Sequence, residues 1–547
     1  MLGVQPPFGR SYARSMVISQ QGIAATSQAL ASQAGAQTLR EGGSAADAAI
    51  AANAVLGVVE PMMNGMGGDL FVLYWEAKTG KLTGLNASGP APRALCPEFL
   101  DRQGIHAMPD AGIHSVTVPG AVDGWSKIHA RFGKLPWKNL FRPAIAYAEQ
   151  GFPVSEIVQK LWLAAATAGK LQALPETARV FLPNNRPPQQ GDVFLNPDLA
   201  QAYRIVAQDG VAAFYRGKVA DAILATTKAM GGVMTADDLA SFSSEWVEPI
   251  SVDYRGWRVF ELPPNGQGMA ALEMLNIMET MPPDPEGPLS PAELHKRIEA
   301  MKLAYADVHR YNGDPRSSRV PVAELLSKDY ARERARRIDP KRANGSVGHG
   351  CPAGCDTIYL TVVDREGNIA SWIQSIYASF GSGITVEAMG FELQNRGAGF
   401  TLERGHPNVL AGGKRPFHTI IPGFMQRGDM HVGFGIMGGA NQPLAHAQFV
   451  SNVVDYDMNL QAAMEAPRFF KGSAEGCDVS IESRLPIRTI HRLCELGHVI
   501  TERPEYSQEM GRGQAILHES KTGTNFAASD PRSDGAATPE PISFLTD

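Results

Sequence analysis

Apolar side chains recur along this chain with two different periods, and the changes of period divide it into elements. Leu294, Ile298, Met301, Tyr305 and Val308 recur at alternating four- and three-residue steps, which predicts a helix from Pro291 to Tyr311. Between Thr357 and Val363 the side chains alternate and β-branched residues are enriched, which predicts a strand. Arg365-Glu366-Gly367-Asn368 supplies a turn, and Ile369 to Tyr377 runs back as the second arm of a hairpin. If Asp364 and Asn368 face each other across a three-residue loop, the register places Thr357 opposite Ser375.

The other elements follow from the same patterns. A first strand and turn are expected over Met16 to Ala25 and a helix over Ser27 to Arg40. Ser44 caps a second helix, which packs through Ile50, Val55 and Val58 and stops before Pro61. A Gly-rich turn leads from Met62 into the strand LFVLYW, and AKTGKL closes a hairpin. Gly112 to Trp125 reads as a short strand joined to a helix through Pro119-Gly120, and a further helix lies around Leu140 to Gln150. Pro175 to Asn196, rich in Pro, Asn and Gln, reads as a surface loop, and Pro197 to Gly232 carries two helical patterns. Tyr254 to Leu262 is a strand, after which PPNGQG opens a helix. Further on, Met430 to Met437 runs as a strand into Gly438-Gly439. Helices and strands alternate before residue 356 and strands dominate after it, so a layered α/β or α+β body is expected.

Composition narrows the class. With 547 residues, 44% hydrophobic and 19% charged, the chain is globular and large enough for two lobes or one layered domain. A net charge of −6 without basic runs interleaved with aromatics gives no support to nucleic-acid binding. No apolar run reaches membrane-spanning length, and the first residues lack the apolar core of a signal peptide. A cytoplasmic protein is expected, or a periplasmic one if the start is misassigned. Five cysteines, Cys96, Cys351, Cys355, Cys477 and Cys494, are too scattered for a disulfide framework. Cys351 and Cys355 lie near His349, but a metal site needs a fourth ligand, so they read as incidental thiols. Glu293, His295, Glu299 and Asp307 on the Pro291 helix fit a solvated face better than a metal site.

The chemistry lies where two kinds of sequence meet. Asp339 to Asp356 contains four Gly and two Pro with almost no large apolar side chain, and reads as an exposed, flexible segment. It ends at Thr357, which opens a buried strand. A threonine hydroxyl needs an adjacent base, and one solution is the threonine's own α-amine, which exists only if the chain is cut before it. Such an amine has a pKa of about 7.7–8.0 and is partly neutral near pH 7. Ser375, opposite in register, is a candidate to hydrogen-bond the nucleophile or its amine. A threonine opening a strand is also commonplace in purely structural settings, and most Gly-Gly turns are only turns.

Taken together and in order, GGSAADAAIAANAVLGVVEP, GMGGDLF, VTVPGAVDGW, PPNGQG, DTIYLTVVDREGN, FGSGI, GKRPFHT and MGG resemble the γ-glutamyltransferase family of N-terminal nucleophile hydrolases, from about Ser27 to Ala537. The resemblance implies an α+β fold of four layers, αββα, and cleavage into residues 1–356 and 357–547, which stay associated. A dimer of such heterodimers is compatible with it. Thr357 falls on the nucleophile, so Asp356–Thr357 is the scissile bond. Ser375 falls on the second hydroxyl, Gly438 and Gly439 on the oxyanion-hole glycines, and His418 and Thr419 on a serine pair that holds the glutamyl carboxylate.

Several positions depart from the pattern. Ser88 stands in SGPAP where transpeptidases carry an arginine for the substrate α-carboxylate. Gly399 replaces the aspartate that binds the α-amino group, Tyr377 replaces an asparagine, and the Gly399–His418 segment is too short for a lid loop. The resemblance therefore implies an amidohydrolase acting on a γ-glutamyl or related small amide through a threonyl acyl-enzyme, hydrolysis exceeding transfer, with no metal or organic cofactor. WIQSIY, FGSGI, QNRG and PFHT resemble the oxamate amidohydrolase branch, for which Arg396 and His418 would bind the carboxylate of a dicarboxylate half-amide. The plain alternative for Arg396 is a surface ion pair. The altered pocket also admits an unprocessed, non-catalytic protein that holds a small ligand.

Overall fold

The computed structural model describes residues 14–347 and 356–542. Two seven-stranded antiparallel sheets lie face to face. The first runs, in spatial order, Ala536–Pro539, Ile23–Thr26, Asp356–Val363, Ile369–Tyr377, Asp69–Glu76, Lys81–Ala87 and Glu245–Val247. The second runs Val17–Ser19, Thr524–Ser529, Arg512–Glu519, Met430–Met437, Gly423–Arg427, Trp257–Glu261 and Ile250–Tyr254. Helices Ala29–Arg40 and Ala45–Val59 cover the outer face of the first sheet, and Gly268–Glu279 and Gln442–Asp455 cover that of the second. The result is the expected αββα sandwich.

Local chemistry explains the boundaries. Ser44 and Asp47 form a reciprocal capping box at the start of Ala45–Val59, a helix of small residues buried along its whole length. Between the sheets, Trp75 stacks on Phe424 and His431 from the opposite layer. The sheets approach closely because the Met430–Met437 strand carries glycines: a Cβ on Gly433 would sit 2.6 Å from Thr361 Oγ1, and one on Gly435 would sit 2.4 Å from the Tyr359 ring. Among the described residues, no helix is long and apolar enough to cross a membrane.

The structure corrects several expectations. Pro175–Phe181 is a helix rather than surface loop, because Pro175 serves as a first-turn residue and Phe181 is buried, its carbonyl accepting from Trp162 Nε1. No strand forms ahead of Ala121–Phe132; Ile113–Ser115 is a short 3₁₀ turn. Pro197 to Gly232 holds three helices, and Tyr254 to Leu262 contains the return arm of a hairpin begun at Ile250. Cys351, Cys355 and His349 lie outside the described residues, while Cys96, Cys477 and Cys494 are free thiols. The beginning of the supposedly exposed segment is anchored: Ala343 is buried, its N–H donating to Leu496 O, and the Asn344 N–H reaches Glu299.

The polar side chains of Pro291–Tyr311 are the largest correction. Glu293, His295, Glu299 and Asp307 are buried, not solvated. Glu293 pairs with Lys296 and Arg297, and Asp307 with Arg334. His295 Nδ1 and His498 Nε2 are 2.8 Å apart beside Glu299, a grouping with metal-ligand chemistry. The cation there is already supplied by the protein, because Lys302 Nζ sits 2.7 Å from Glu299 Oε1 and donates to Asn344 O. Removing Lys302 would strand a buried carboxylate. Lys302→Met is expected to lower unfolding free energy by about 3–5 kcal/mol, read from denaturant midpoints. A wild-type midpoint would mean that Glu299 does not need this cation.

Candidate active site

The hairpin holds its expected register from Val363–Ile369 out to Ile358–Gln374, then shifts by one residue so that Asp356 pairs with Tyr377. That irregularity falls at Thr357. Its fully buried hydroxyl donates to Ser375 Oγ at 3.1 Å, the contact the register implied. Ser375 Oγ also receives the Tyr377 N–H at 2.8 Å and Arg396 Nη2 at 3.1 Å. Three donors converging on one hydroxyl oxygen fix its position and draw electron density from it.

Arg396 is no surface ion pair. It is 0% exposed, donates through Nη1 to Thr419 Oγ1 at 2.8 Å, and lies over the Tyr377 ring at 4.2 Å. Tyr377 itself adopts φ of 80°, a left-handed conformation rare for an aromatic residue and found where a site constrains the chain. Thr357, Ser375, Tyr377, Arg396 and Thr419 are therefore one connected cluster.

The glycine pair ends the Met430–Met437 strand of the other sheet, which meets the hairpin strand where Gly433 faces Thr361 and Gly435 faces Tyr359. Gly438 and Gly439 have φ of 142° and 58°, and neither N–H donates to a protein acceptor among the described residues. Two backbone donors left open at a strand end are suited to a developing oxyanion. Gln267, in the PPNGQG stretch, ties this turn to the cluster: its Nε2 donates to Thr419 O at 2.6 Å and to Gly439 O at 2.8 Å.

His418 is fully buried, its ring tilted against Phe71 and its Nε2 3.0 Å from Asp69 Oδ2. Burial, reinforced by Arg396 and Arg415, holds its pKa well below the usual imidazole range, which favours the neutral ring. Asp69, which the sequence reading passed over, is pushed up to about 7 by burial, against the opposing pull of Arg396 and its hydrogen-bond donors. Its one sequence signal is a carboxylate at the head of a strand that is otherwise apolar.

Around this cluster the head-group positions are neutral. Ser88 is buried, accepting from Asn265 through its hydroxyl and from Arg415 Nε through its carbonyl. Gly399 has no side chain, and a Cβ there would lie 2.7 Å from Phe417 O. Gly399, Tyr377, Phe400, Phe417 and Asn312 line a cavity of about 870 Å³ that leads away from the cluster. His309 is on the same wall, its pKa lowered to about 4 by burial, with a smaller contribution from His406.

The chain is similar to known proteins along nearly its whole length. The gamma-glutamyltranspeptidase family model matches residues 31–540. The glutathione hydrolase-like YwrD proenzyme of Bacillus subtilis is 36% identical over 93% of this chain and 96% of its own. The oxamate amidohydrolase proenzyme of Klebsiella pneumoniae is 34% identical over 95% and 98%. Among solved structures, a cephalosporin acylase from Bacillus halodurans superposes with a TM-score of 0.91 at 41% identity, covering 97% of this chain and 98% of that one.

The Gly-rich turn ahead of Asp69 is a spacing device for Ser375. A Cβ on Gly68 would fall 2.3 Å from Ser375 O, and one on Gly67 would fall 2.0 Å from Glu392 O. Gly68→Ala is expected to cost about 1–3 kcal/mol of stability through overpacking. Thermal denaturation checks this, and an unchanged midpoint would show that the strand can move aside.

Proposed function

The chain belongs to the gamma-glutamyltranspeptidase family, and on that basis we propose that it is a proenzyme that cleaves itself between Asp356 and Thr357, then hydrolyses amides whose acyl part ends in a free carboxylate and carries no α-amino group. In the first stage, Thr357 Oγ adds to the Asp356 carbonyl carbon. The C–N bond breaks, the nitrogen takes a proton, and an ester joins the two segments. Water cleaves that ester, freeing the Asp356 α-carboxylate and restoring the Thr357 hydroxyl beside the α-amine released in the shift. The products are residues 1–356 and 357–547.

In the second stage the α-amine takes the proton from Thr357 Oγ, which attacks the substrate amide. Ser375 holds the hydroxyl in line, and the N–H groups of Gly438 and Gly439 receive the oxyanion. Losing one such donor costs about 3 kcal/mol of barrier in comparable sites. The leaving amine departs with a proton, and water rather than a second amine resolves the acyl-enzyme. No step uses a metal or organic cofactor.

The observation that carries this reading is the shared oxygen of Ser375, which touches Thr357 on one side and Arg396 on the other at 3.1 Å each. A guanidinium is thereby placed one hydroxyl away from the nucleophile, with Thr419 and Tyr377 around it. It suits a substrate carboxylate. The absence of a side chain at Gly399 leaves no partner there for an α-amino group. Oxamate, the substrate named for the Klebsiella relative, has this acyl chemistry. A γ-glutamyl amide is the second reading, favoured by the name of the Bacillus subtilis relative.

Two measurements test the proposal. Intact mass of the purified protein is expected to give two species that divide the chain before Thr357, and Thr357→Ala one full-length species without turnover. A full-length wild-type protein without turnover would overturn the mechanism and leave a ligand-binding protein in its place, and cleavage and turnover retained in Thr357→Ala would overturn Thr357 as the nucleophile. With the processed enzyme, oxamate, succinamate or glutaryl p-nitroanilide is expected to exceed γ-glutamyl p-nitroanilide in kcat/KM by roughly tenfold or more, on the order of 1.4 kcal/mol. The reverse ranking would give the γ-glutamyl reading.

A further inference from the structure

Asp69 is a fully buried carboxylate beside the catalytic cluster, and none of the proposed steps uses it. It begins the Asp69–Glu76 strand and stands directly opposite Ser375 in the sheet register. Its Oδ1 accepts from the N–H groups of Gly89 at 3.0 Å and Gly120 at 3.2 Å, and from Gln394 Nε2 at 2.9 Å. Its Oδ2 faces His418 Nε2 at 3.0 Å. One carboxylate thus joins four separate segments, and all its partners are buried backbone or side-chain donors.

Those segments converge on Arg396. Gln394 precedes it by two residues, and Thr419, which accepts from Arg396 Nη1, follows His418 directly. Ser375, which accepts from Arg396 Nη2, is the cross-strand neighbour of Asp69. We infer that Asp69 is a positioning residue: it aims the Arg396 guanidinium at the substrate carboxylate by anchoring Gln394 and His418 on either side of it. This rests on the proposed carboxylate-bearing substrate. Coulomb's law and geometry make opposite demands here. A negative charge beside Arg396 weakens its attraction for an anion, so keeping one in that place makes sense only if orientation matters more than charge.

That opposition supplies the test. Asp69→Asn keeps the shape and removes the charge. An electrostatic role alone would lower KM for an anionic donor; loss of aim raises it. With glutaryl p-nitroanilide, Asp69→Asn is expected to raise KM about tenfold while kcat stays within about threefold. With valeryl p-nitroanilide, which lacks the terminal carboxylate, KM should not change. In an Arg396→Gln background, adding Asp69→Asn should change KM by less than about twofold, because the two act as one unit.

An equal rise in KM for both donors, a fall for the glutaryl donor, or a further tenfold rise in the Arg396→Gln background would overturn the inference. If Asp69→Asn does not fold and process, His418→Leu removes the donor to Asp69 Oδ2, together with the Nδ1 acceptor for the Ile420 N–H, and enters the same cycle. If the wild-type enzyme shows no preference for the glutaryl over the valeryl donor, the proposed substrate class is what fails. The cycle run on γ-glutamyl p-nitroanilide then still reports whether Asp69 works through Arg396.

Discussion

A guanidinium and a carboxylate are buried together between two sheets, and the rest of the site follows from keeping them there. Arg396 and Asp69 are both 0% exposed. Placing either in a protein interior costs several kcal/mol unless geometry and hydrogen bonds compensate closely. The compensation comes from many directions: Thr419, Ser375 and the Tyr377 ring for Arg396, and two backbone N–H groups, Gln394 and His418 for Asp69. These partners come from five separate stretches of chain, around Gly89, Gly120, Ser375–Tyr377, Gln394 and His418–Thr419. The site is therefore assembled only when both sheets are in place, and the glycines at 67, 68, 433 and 435 let the backbones come close enough.

The same sheets bear on how a cleaved chain would stay whole. In the first sheet, Asp356–Val363 pairs with Ile23–Thr26 on one side and Ile369–Tyr377 on the other, which in turn pairs with Asp69–Glu76. Strands from before and after residue 356 are thus hydrogen-bonded to one another at several places in the layer. In the second sheet, Gly423–Arg427 pairs with Trp257–Glu261. Breaking one peptide bond at the head of Asp356–Val363 removes none of these ladders and leaves the shared core between the layers in place. Under the proposed cleavage, the new amine is generated inside a structure that already holds Ser375 against Thr357.

Much of this was legible from neighbouring residues. The alternation from Thr357 to Val363 and the short loop at Asp364–Asn368 set a register, and that register alone places Ser375 against Thr357. Ser44 with Asp47 marks a helix start because the capping box closes within one turn. The Gly-rich run before Asp69 is explained by close backbone approach, which only the packed structure shows. The failures share one physical cause. Glu293, His295, Glu299 and Asp307 fall on one helix in a pattern that looks solvated. Their burial depends on Lys302 and Arg297 from the same helix and on Arg334, His498 and Asn344 from elsewhere. Pro175–Phe181 was read from composition, whereas Phe181 and Thr177 are held by contacts with Trp162 and Gly383.

The amino-acid sequence by itself determined the periods, caps and turns, the hairpin register, the order of motifs, and the identity of the residue that opens the central strand. These are properties of neighbours within a few positions, where backbone geometry leaves few choices. Only the tertiary structure decided that Arg396 is buried in the cluster and that His418 meets Asp69. It also decided that Gln267 joins Thr419 to Gly439. Burial and hydrogen-bond partnership are relations between segments hundreds of residues apart, such as Asp69 with His418. No local pattern encodes which of many polar side chains will meet when the sheets close.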